Sequence, residues 1–253
     1  MHFDAGEGPI SELVEEIRRS HGTRAIAIPA DIADPTSAHY IFTQVERQLG
    51  PIDVLVNNAG VTRYNAFEAE DVELRDWWKV IETNLRGPMT LIRAVLPSML
   101  ERGCGTIIST ASTSGSQDTP FATAYATSKA ALIKFHQDLA VEIGDRGVHT
   151  YCVHPGTDAT NLAKSEGAIN MEVMQKTPAM MEILRSFEGM KMQTAELAAN
   201  TYVALAAGDE FRLLSGMFID SQHDLGEVLK EAKKDGKGRI GKERLYHLKV
   251  DEL

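Results

Sequence analysis

Three side chains near the middle of the chain could move a proton to or from a carbonyl oxygen. Tyr125 supplies an acidic phenol, Lys129 follows it by four residues, and Ser112 precedes it by thirteen. Side chains four residues apart on a helix project from one face, and a nearby ammonium group lowers the pKa of a phenol. A serine hydroxyl can donate a hydrogen bond to an oxygen on which negative charge develops. The spacing therefore predicts an acid–base site for carbonyl or alcohol chemistry.

The elements that would hold these side chains alternate along the chain. Apolar runs alternate with amphipathic stretches, which is typical of a parallel sheet covered by helices. Strands are predicted at Ala25 to Ile28, Val54 to Val56, Thr106 to Ser109, Thr150 to Val153 and Met217 to Ile219. Helices are predicted to begin near Ile10, Ser37, Val72, Phe121 and Thr194.

Two further motifs complete a recognisable set. The rare run Asn57-Asn58-Ala59-Gly60 directly follows an apolar run, and Asn84 lies in a Glu-Thr-Asn-Leu-Arg-Gly segment. Together with Ser112, Tyr125 and Lys129, they give the chain the order and spacing of the short-chain dehydrogenase/reductase family, which residues 10 to 225 resemble. The resemblance implies an α/β fold with a Rossmann-like parallel sheet flanked by helices. It also implies an NAD(P)-dependent oxidoreductase that interconverts a carbonyl and an alcohol.

The resemblance assigns a role to each candidate residue. Tyr125 would be the acid–base, Lys129 would lower its pKa and hold the nicotinamide ribose, and Ser112 would hold the substrate oxygen. Asn84 would bend a helix and hold a water that links Lys129 to solvent. The cofactor, NADP or NAD with NADP slightly preferred, would contact Asp31, Ile32, Asn58, Ala59, Gly60, Tyr125, Lys129, Pro155, Gly156 and Thr160.

Several of these positions have simpler interpretations. Ser112 could be a turn serine after a strand, and a mid-helix Asn84 could face solvent. Asp31 could cap a helix that begins after Pro35. Asp158 occupies a position that the family usually fills with Val or Ile, which weakens the expected fit of that loop to a nicotinamide.

The family places its substrate lid where this chain has Asn161 to Met192. This stretch contains six methionines, a soft and adaptable surface that favours a fairly large, apolar carbonyl or alcohol substrate. An amphipathic core helix would explain the same residues. The methionines are Met171, Met174, Met180, Met181, Met190 and Met192.

The family's glycine-rich phosphate-binding turn, Gly-x-x-x-Gly-x-Gly, does not occur in this sequence. We therefore expect a sheet missing the first two strands of the family pattern, with Ala25 to Ile28 either pairing directly with Val54 to Val56 or leaving a hole. Exposed apolar edges should make such a chain marginally stable and prone to associate. Residues 1–221 would form one truncated domain and residues 222–253 a charged tail.

Composition narrows the function further. A net charge of −10 and a pI near 5.3 argue against a nucleic-acid surface, and no apolar stretch is long enough for a membrane span. Cys104 and Cys152 should lie at opposite ends of the sheet as small buried side chains, as expected in a reducing cytoplasm. The resemblance implies a homo-oligomer, formed through helices within Val72 to Leu100 and Phe121 to Ile143.

Three functions fit the sequence. The first is an NAD(P)-dependent oxidoreductase, with secondary metabolism as a suggested context. The second is a non-catalytic binding or regulatory partner that cannot hold a dinucleotide, because the main site for the pyrophosphate is missing. The third is a cofactor-independent lyase or isomerase that uses Tyr125 and Lys129.

Overall fold

The sheet is built from four parallel strands in the order β1-β2-β3-β4. The computed structural model describes residues 9–156, 162, 167–188 and 193–234. The strands are β1 (Val54–Asn57), β2 (Gly105–Thr110), β3 (Val148–His154) and β4 (Phe218–Asp220). Each coincides with a strand predicted from the sequence, and the parallel α/β architecture is confirmed.

Helices connect the strands and cover both faces of the sheet. They are α1 (Pro9–His21), α2 (Ser37–Leu49), α3 (Arg75–Ile81), α4 (Gly87–Arg102), α5 (Thr123–Ile143), α6 (Met171–Lys176), α7 (Pro178–Glu188), α8 (Ala195–Ala207) and α9 (Leu225–Ala232). A π-helical turn, Glu82–Arg86, joins α3 to α4. All five predicted helix starts lie within three residues of an observed one.

Successive side chains of a strand point to opposite faces, and β2 shows how this divides the core. Ile107 packs with Ile92, Met99 and Leu139 of α4 and α5. Its neighbour Ile108 packs in the other cluster, with residues of β3, α8 and α9. The two apolar clusters hold the sheet between helical layers and thereby fix the ends of its strands.

The segment predicted to be a tail begins with ordered structure. Asp224 accepts a hydrogen bond from the Glu227 amide at 3.0 Å and so caps α9. Val228 and Leu229 of α9 are buried in the core cluster around Ile108. The domain boundary at residue 221 stays a prediction, but residues 225–232 pack against the domain because one face of α9 is apolar.

The prediction of a strand at Ala25 to Ile28 is wrong. These residues form no strand and do not pair with β1, which is the edge of the described sheet. Arg24 instead donates to the carbonyls of Gln48 and Leu49 at the end of α2. Val54 and Val56 of β1 are each 41% exposed. The structure therefore has the exposed apolar edge that the sequence suggested, without the direct pairing.

The two cysteines are both free, but only one is buried as predicted. Cys152 lies in β3 beside buried Leu132, whereas Cys104 is exposed. Cys104 precedes β2 at the amino end of the sheet, where Arg102 Nη1 lies 3.8 Å from its Sγ. Cys104 lies in the short connection between α4 and β2, one residue before the strand begins, and is not part of the sheet.

Candidate active site

The carboxyl ends of parallel strands lie at one edge of a sheet, and several of the predicted site residues lie there. Asn58, Ala59 and Gly60 follow β1, and Ser112 follows β2. Pro155 and Gly156 follow β3. Helix α5 brings Tyr125 and Lys129 against this edge.

Lys129 is held in a buried position by the end of β2. Lys129 is only 4% exposed, and its Nζ donates to the Thr110 carbonyl at 2.7 Å. Nζ lies 5.5 Å from the centroid of the Tyr125 ring. Burial lowers the pKa of Lys129 to about 8, because a buried ammonium loses its hydration. The amine can therefore change its charge close to neutral pH.

Tyr125 does not have the lowered pKa that the sequence predicted. Burial raises its pKa to about 12, while a hydrogen bond with Ser112 acts in the opposite direction and nearby Tyr64 raises it further. The Lys129 ammonium does not overcome this effect because Nζ is directed to a backbone carbonyl and is itself less basic than usual. The phenol of Tyr125 is therefore protonated at neutral pH.

Ser112 is where the predicted spacing requires it. It is 8% exposed and caps a short 3₁₀ turn, Thr113–Gly115, by accepting from the Ser114 amide at 3.2 Å. It also lies close enough to Tyr125 to lower the pKa of the phenol, against the effect of burial. Ser112 is therefore a turn serine, as the simpler interpretation proposed, and it also lies near the phenol of Tyr125.

Asn84 joins the loop after β1 to α5 and does not face solvent. It lies in the π-helical turn and is 0% exposed. Its side chain accepts from the Val61 amide and donates to the Val61 carbonyl, both at 2.8 Å. A third bond, at 3.1 Å, goes to Ser128, which is adjacent to Lys129 in α5. Every hydrogen-bonding position on its amide nitrogen is therefore used, and Asn84 acts as a clamp on the loop.

Gly60 lies beside the side chains of Asn84 and Lys129. A Cβ atom added here would lie 3.4 Å from Asn84 Oδ1 and 3.7 Å from Lys129 Nζ. A cofactor ribose held by the amine and the phenol would need this kind of close approach to backbone. The missing side chain at Gly60 therefore leaves space for a group of atomic size beside the Lys129 amine.

The predicted cofactor contacts at Asp31 and Ile32 form local interactions within the protein. Asp31 is exposed and its carboxylate accepts from the Ala33 amide at 2.9 Å, so it closes a local turn. Ile32 packs on Gly87, where a Cβ would meet the Ile32 carbonyl oxygen at 2.8 Å. Asp31 does not cap α2, because the Thr36 amide just before this helix donates to the carboxylate of Asp34 and not to that of Asp31. In the parts of the chain that the structure describes, no glycine-rich turn is available for a pyrophosphate.

The loop after β3 approaches the loop after β4. Gly156 has φ +91°, and a Cβ there would lie 3.2 Å from Gln193 Cγ, so the position favours glycine. Gln193 Nε2 donates to Gln222 Oε1 at 3.4 Å. Thr160 and Asp158 lie outside the described residues. Met190 and Met192 lie outside them as well, while Met180 is fully buried and Met171 is exposed.

Sequence reasoning missed three residues that the fold brings to the site. Thr110 contacts Lys129 through its carbonyl, and its hydroxyl lies 2.8 Å from both Asn58 Oδ1 and the Tyr202 hydroxyl. Tyr64 is close enough to Tyr125 to affect its pKa. The hydroxyl-rich run Ser109 to Ser114 was a signal for Thr110, whereas no local pattern pointed to Tyr202 or Tyr64.

The loop that carries Tyr64 is anchored by charge. Arg63 is 16% exposed and forms ion pairs with Glu70 at 3.1 Å and with Asp76 at 3.2 Å. The Glu70 side chain is only 4% exposed. Because Arg63 and Glu70 are both largely removed from water, loss of either side chain would leave the other as an uncompensated buried charge.

The described parts of the chain contain neither a candidate membrane span nor a candidate metal cluster. None of the helices there is both long and apolar enough to cross a membrane. Nor does any group of three or more His, Cys, Asp and Glu side chains in those parts come together as a possible metal site.

Comparison with known proteins identifies the family of the chain. The family model described as short chain dehydrogenase matches residues 1–170. A short chain dehydrogenase of Pseudocercospora fijiensis is 41% identical over 251 residues, which cover 98% of this chain and 79% of the relative. The acetoacetyl-CoA reductase of Cupriavidus necator is 33% identical over 221 residues, with coverage of 85% and 87%.

A solved structure extends the agreement to the fold. The crystal structure of a protein from Burkholderia xenovorans, described as a short-chain dehydrogenase/reductase, superposes with a TM-score of 0.69 at 27% identity. The match covers 87% of this chain and 80% of that one. With its parallel sheet and its Ser–Tyr–Lys cluster, the chain belongs to the short-chain dehydrogenase/reductase family of NAD(P)-dependent oxidoreductases.

Proposed function

We propose that this protein interconverts a carbonyl and an alcohol with Tyr125 as the acid–base. The observation that supports this most directly is the cluster itself. The Nζ of the buried Lys129 lies 5.5 Å from the centroid of the Tyr125 ring, and Ser112 lies close enough to the same tyrosine to lower its pKa. Lys134, on the same helix, is exposed and paired with Asp138 instead, so the arrangement around Lys129 is specific to the site.

Each residue would have a distinct role during reduction. Ser112 would donate a hydrogen bond to the substrate carbonyl and stabilise the charge that develops on its oxygen. Tyr125 would transfer its phenolic proton to that oxygen, and Lys129 would stabilise the resulting phenolate. A bound nicotinamide supplies the hydride. Asn84 would keep the loop after β1 in place through its bonds to Val61.

The raised pKa of Tyr125 has a consequence for direction. A phenol with a pKa of about 12 holds its proton at neutral pH and is ready to act as an acid. Alcohol oxidation requires the phenolate instead. We therefore expect carbonyl reduction to be favoured near neutral pH and alcohol oxidation to accelerate as the pH rises.

The finer assignments remain part of the proposal. They are a slight preference for NADP over NAD, a fairly large apolar substrate, a homo-oligomeric state, a cytoplasmic location and a role in secondary metabolism. The acetoacetyl-CoA reductase of Cupriavidus necator acts on a carbonyl compound, which supports carbonyl chemistry in general. It does not identify the substrate of this chain.

A second candidate is a non-catalytic binding or regulatory partner. It is favoured by the outer edge of β1, where Val54 and Val56 are each 41% exposed and with which no described strand pairs. Several charge-assisted hydrogen bonds to a pyrophosphate, each about 1.5 to 3 kcal/mol, would be absent in such a protein. A protein of this kind would fold and associate but would not bind a dinucleotide.

Cofactor titration separates the two candidates. NADPH and NADH are added in turn to the 253-residue chain, and the fluorescence of the reduced nicotinamide is followed. We expect micromolar binding by the unaltered protein and by Lys134→Ala, and loss of binding by Lys129→Ala. No binding at millimolar cofactor by a chain that circular dichroism shows to be folded would support the non-catalytic candidate.

A further inference from the structure

Thr110 is a junction between three elements that surround the proposed active site. Its carbonyl accepts from Lys129 Nζ of α5 at 2.7 Å. Its hydroxyl donates to Asn58 Oδ1, in the loop after β1, at 2.8 Å. The same hydroxyl lies 2.8 Å from the hydroxyl of Tyr202 in α8. One residue at the end of β2 therefore contacts both the buried amine and the proposed cofactor loop.

The direction of the bond to Tyr202 follows from the number of hydrogens. A threonine hydroxyl has one hydrogen and two lone pairs, and an amide oxygen can only accept. Because Thr110 donates to Asn58 Oδ1, its hydroxyl must accept from Tyr202. The three groups thus form a directed chain, in which Tyr202 donates to Thr110 and Thr110 donates to Asn58.

Tyr202 is well placed to hold this chain still. Its ring is half-buried and packs against the apolar cluster that includes Ile108 and Leu205. The hydroxyl is therefore fixed by packing on one side and reaches the edge of the sheet on the other. Asn58, by contrast, is exposed, so water competes for its amide unless Thr110 is held in one rotamer.

We propose that Tyr202 is a positioning residue that orients Asn58 for cofactor binding through the hydroxyl of Thr110. The inference rests on the proposed function, since it concerns the loop that would contact the cofactor. Removing the Tyr202 hydroxyl frees the Thr110 side chain to rotate, so Asn58 loses its fixed orientation. The bond from Lys129 Nζ to Thr110 uses only the backbone carbonyl of Thr110, not its side chain, and is retained.

The test compares variants that each remove one hydroxyl. Tyr202→Phe and Thr110→Val break the chain, Thr110→Ser keeps it, and the double variant Tyr202→Phe/Thr110→Val breaks it twice. Tyr151→Phe is the matched control, because Tyr151 belongs to the same apolar cluster but donates to the Phe211 carbonyl. The dissociation constants of NADPH and NADH, the steady-state kcat and KM, and the thermal midpoint are measured for each variant.

We expect Tyr202→Phe and Thr110→Val each to weaken cofactor binding about three- to tenfold, as for the loss of one neutral hydrogen bond. The double variant should be no weaker than either single one, and Thr110→Ser and Tyr151→Phe should bind as the unaltered protein does. The KM for cofactor should rise more than kcat falls.

Three results would overturn the inference. Equal cofactor affinity in Tyr202→Phe and Tyr151→Phe would assign Tyr202 a purely structural role, with the proposed function intact. Effects that multiply in the double variant would show that the two hydroxyls act separately. Failure of the unaltered protein to bind either cofactor would overturn the proposed function itself, and the inference with it.

Discussion

Helix α5 carries two buried basic side chains, Lys129 and His136, and their surroundings differ sharply. They are seven residues apart, about 10 Å along the helix, and both face the sheet. Lys129 is 4% exposed and donates to a backbone carbonyl at the carboxyl edge. His136 is 0% exposed, and its ring is hydrogen-bonded to the hydroxyls of Ser109 and Thr150 beneath the sheet.

The side chains around His136 form a linear series of hydrogen bonds that runs from Asn57 to Thr150. Asn57 Nδ2 donates to Ser109 Oγ at 3.2 Å, so the Ser109 hydrogen is free to go to His136 Nε2. His136 Nδ1 then carries the hydrogen that goes to Thr150 Oγ1. The chain links β1, β2 and β3 through one side chain of α5, which stabilises the sheet directly below the proposed site.

The two regions respond differently to pH. Burial lowers the pKa of His136 to about 3 and that of Lys129 to about 8. His136 is therefore neutral throughout the physiological range, whereas Lys129 titrates close to it. Burial alone does not distinguish a structural polar residue from a functional one. The distinction comes from position at the strand ends and from a neighbour, Tyr125, that can exchange a proton.

The largest effect on activity should come from removing the Tyr125 hydroxyl, beside Lys129. Tyr125→Phe should lower the rate of carbonyl reduction about 10²- to 10⁴-fold, because it removes the general acid. Tyr40→Phe is the control, since Tyr40 is 48% exposed on α2. Steady-state assays with NADPH measure the effect. A Tyr125→Phe rate within tenfold of the unaltered protein would contradict the role proposed for the phenol.

Breaking the His136 region should affect stability instead. His136→Leu removes one hydrogen bond from each of the hydroxyls of Ser109 and Thr150, and we expect a loss of about 2 to 4 kcal/mol in the free energy of unfolding. Urea unfolding measures this loss. The exposed His39 of α2 provides the control variant His39→Leu, which should unfold as the unaltered protein does. If both variants are equally stable, the chain around His136 contributes nothing.

The smallest effect concerns the charge on Lys129. Its pKa is about 8 in the folded protein against 10.5 for an ordinary lysine, so between these values the unfolded chain binds more protons. The free energy of unfolding should therefore rise with pH above about 8, by at most about 3 kcal/mol. Urea unfolding between pH 7.5 and 9.5 avoids the titration of Tyr125, whose raised pKa acts in the opposite direction.

Lys129→Met should remove this rise and be more stable than the unaltered protein at pH 7, where the buried charge is costly. Lys134→Met is the matched control on the same helix, because Lys134 is exposed and its pair with Asp138 is worth about 0.5 kcal/mol or less. A rise that persists in Lys129→Met would assign the pH dependence to another group.

Much of the fold could be predicted because its signals are local. The apolar runs at β1 to β4 and the starts of α2 and α5 are visible in short windows of sequence. The strand predicted at Ala25 to Ile28 failed because a strand also needs a neighbour with which to pair, and no local pattern reveals that. The burial predicted for Cys104 was wrong because this residue lies just before β2 and not within it.

The site divides in the same way. Sequence alone determined which side chains are candidates, because the spacing of Tyr125 and Lys129 on one helix is a local property. Tertiary structure decided what those side chains contact and how they titrate. Tyr202 and Thr110 are 92 residues apart, and Asn84 and Val61 are 23 apart. The pKa of Tyr125 rises because its burial depends on chain segments distant in sequence, which only the folded protein brings together.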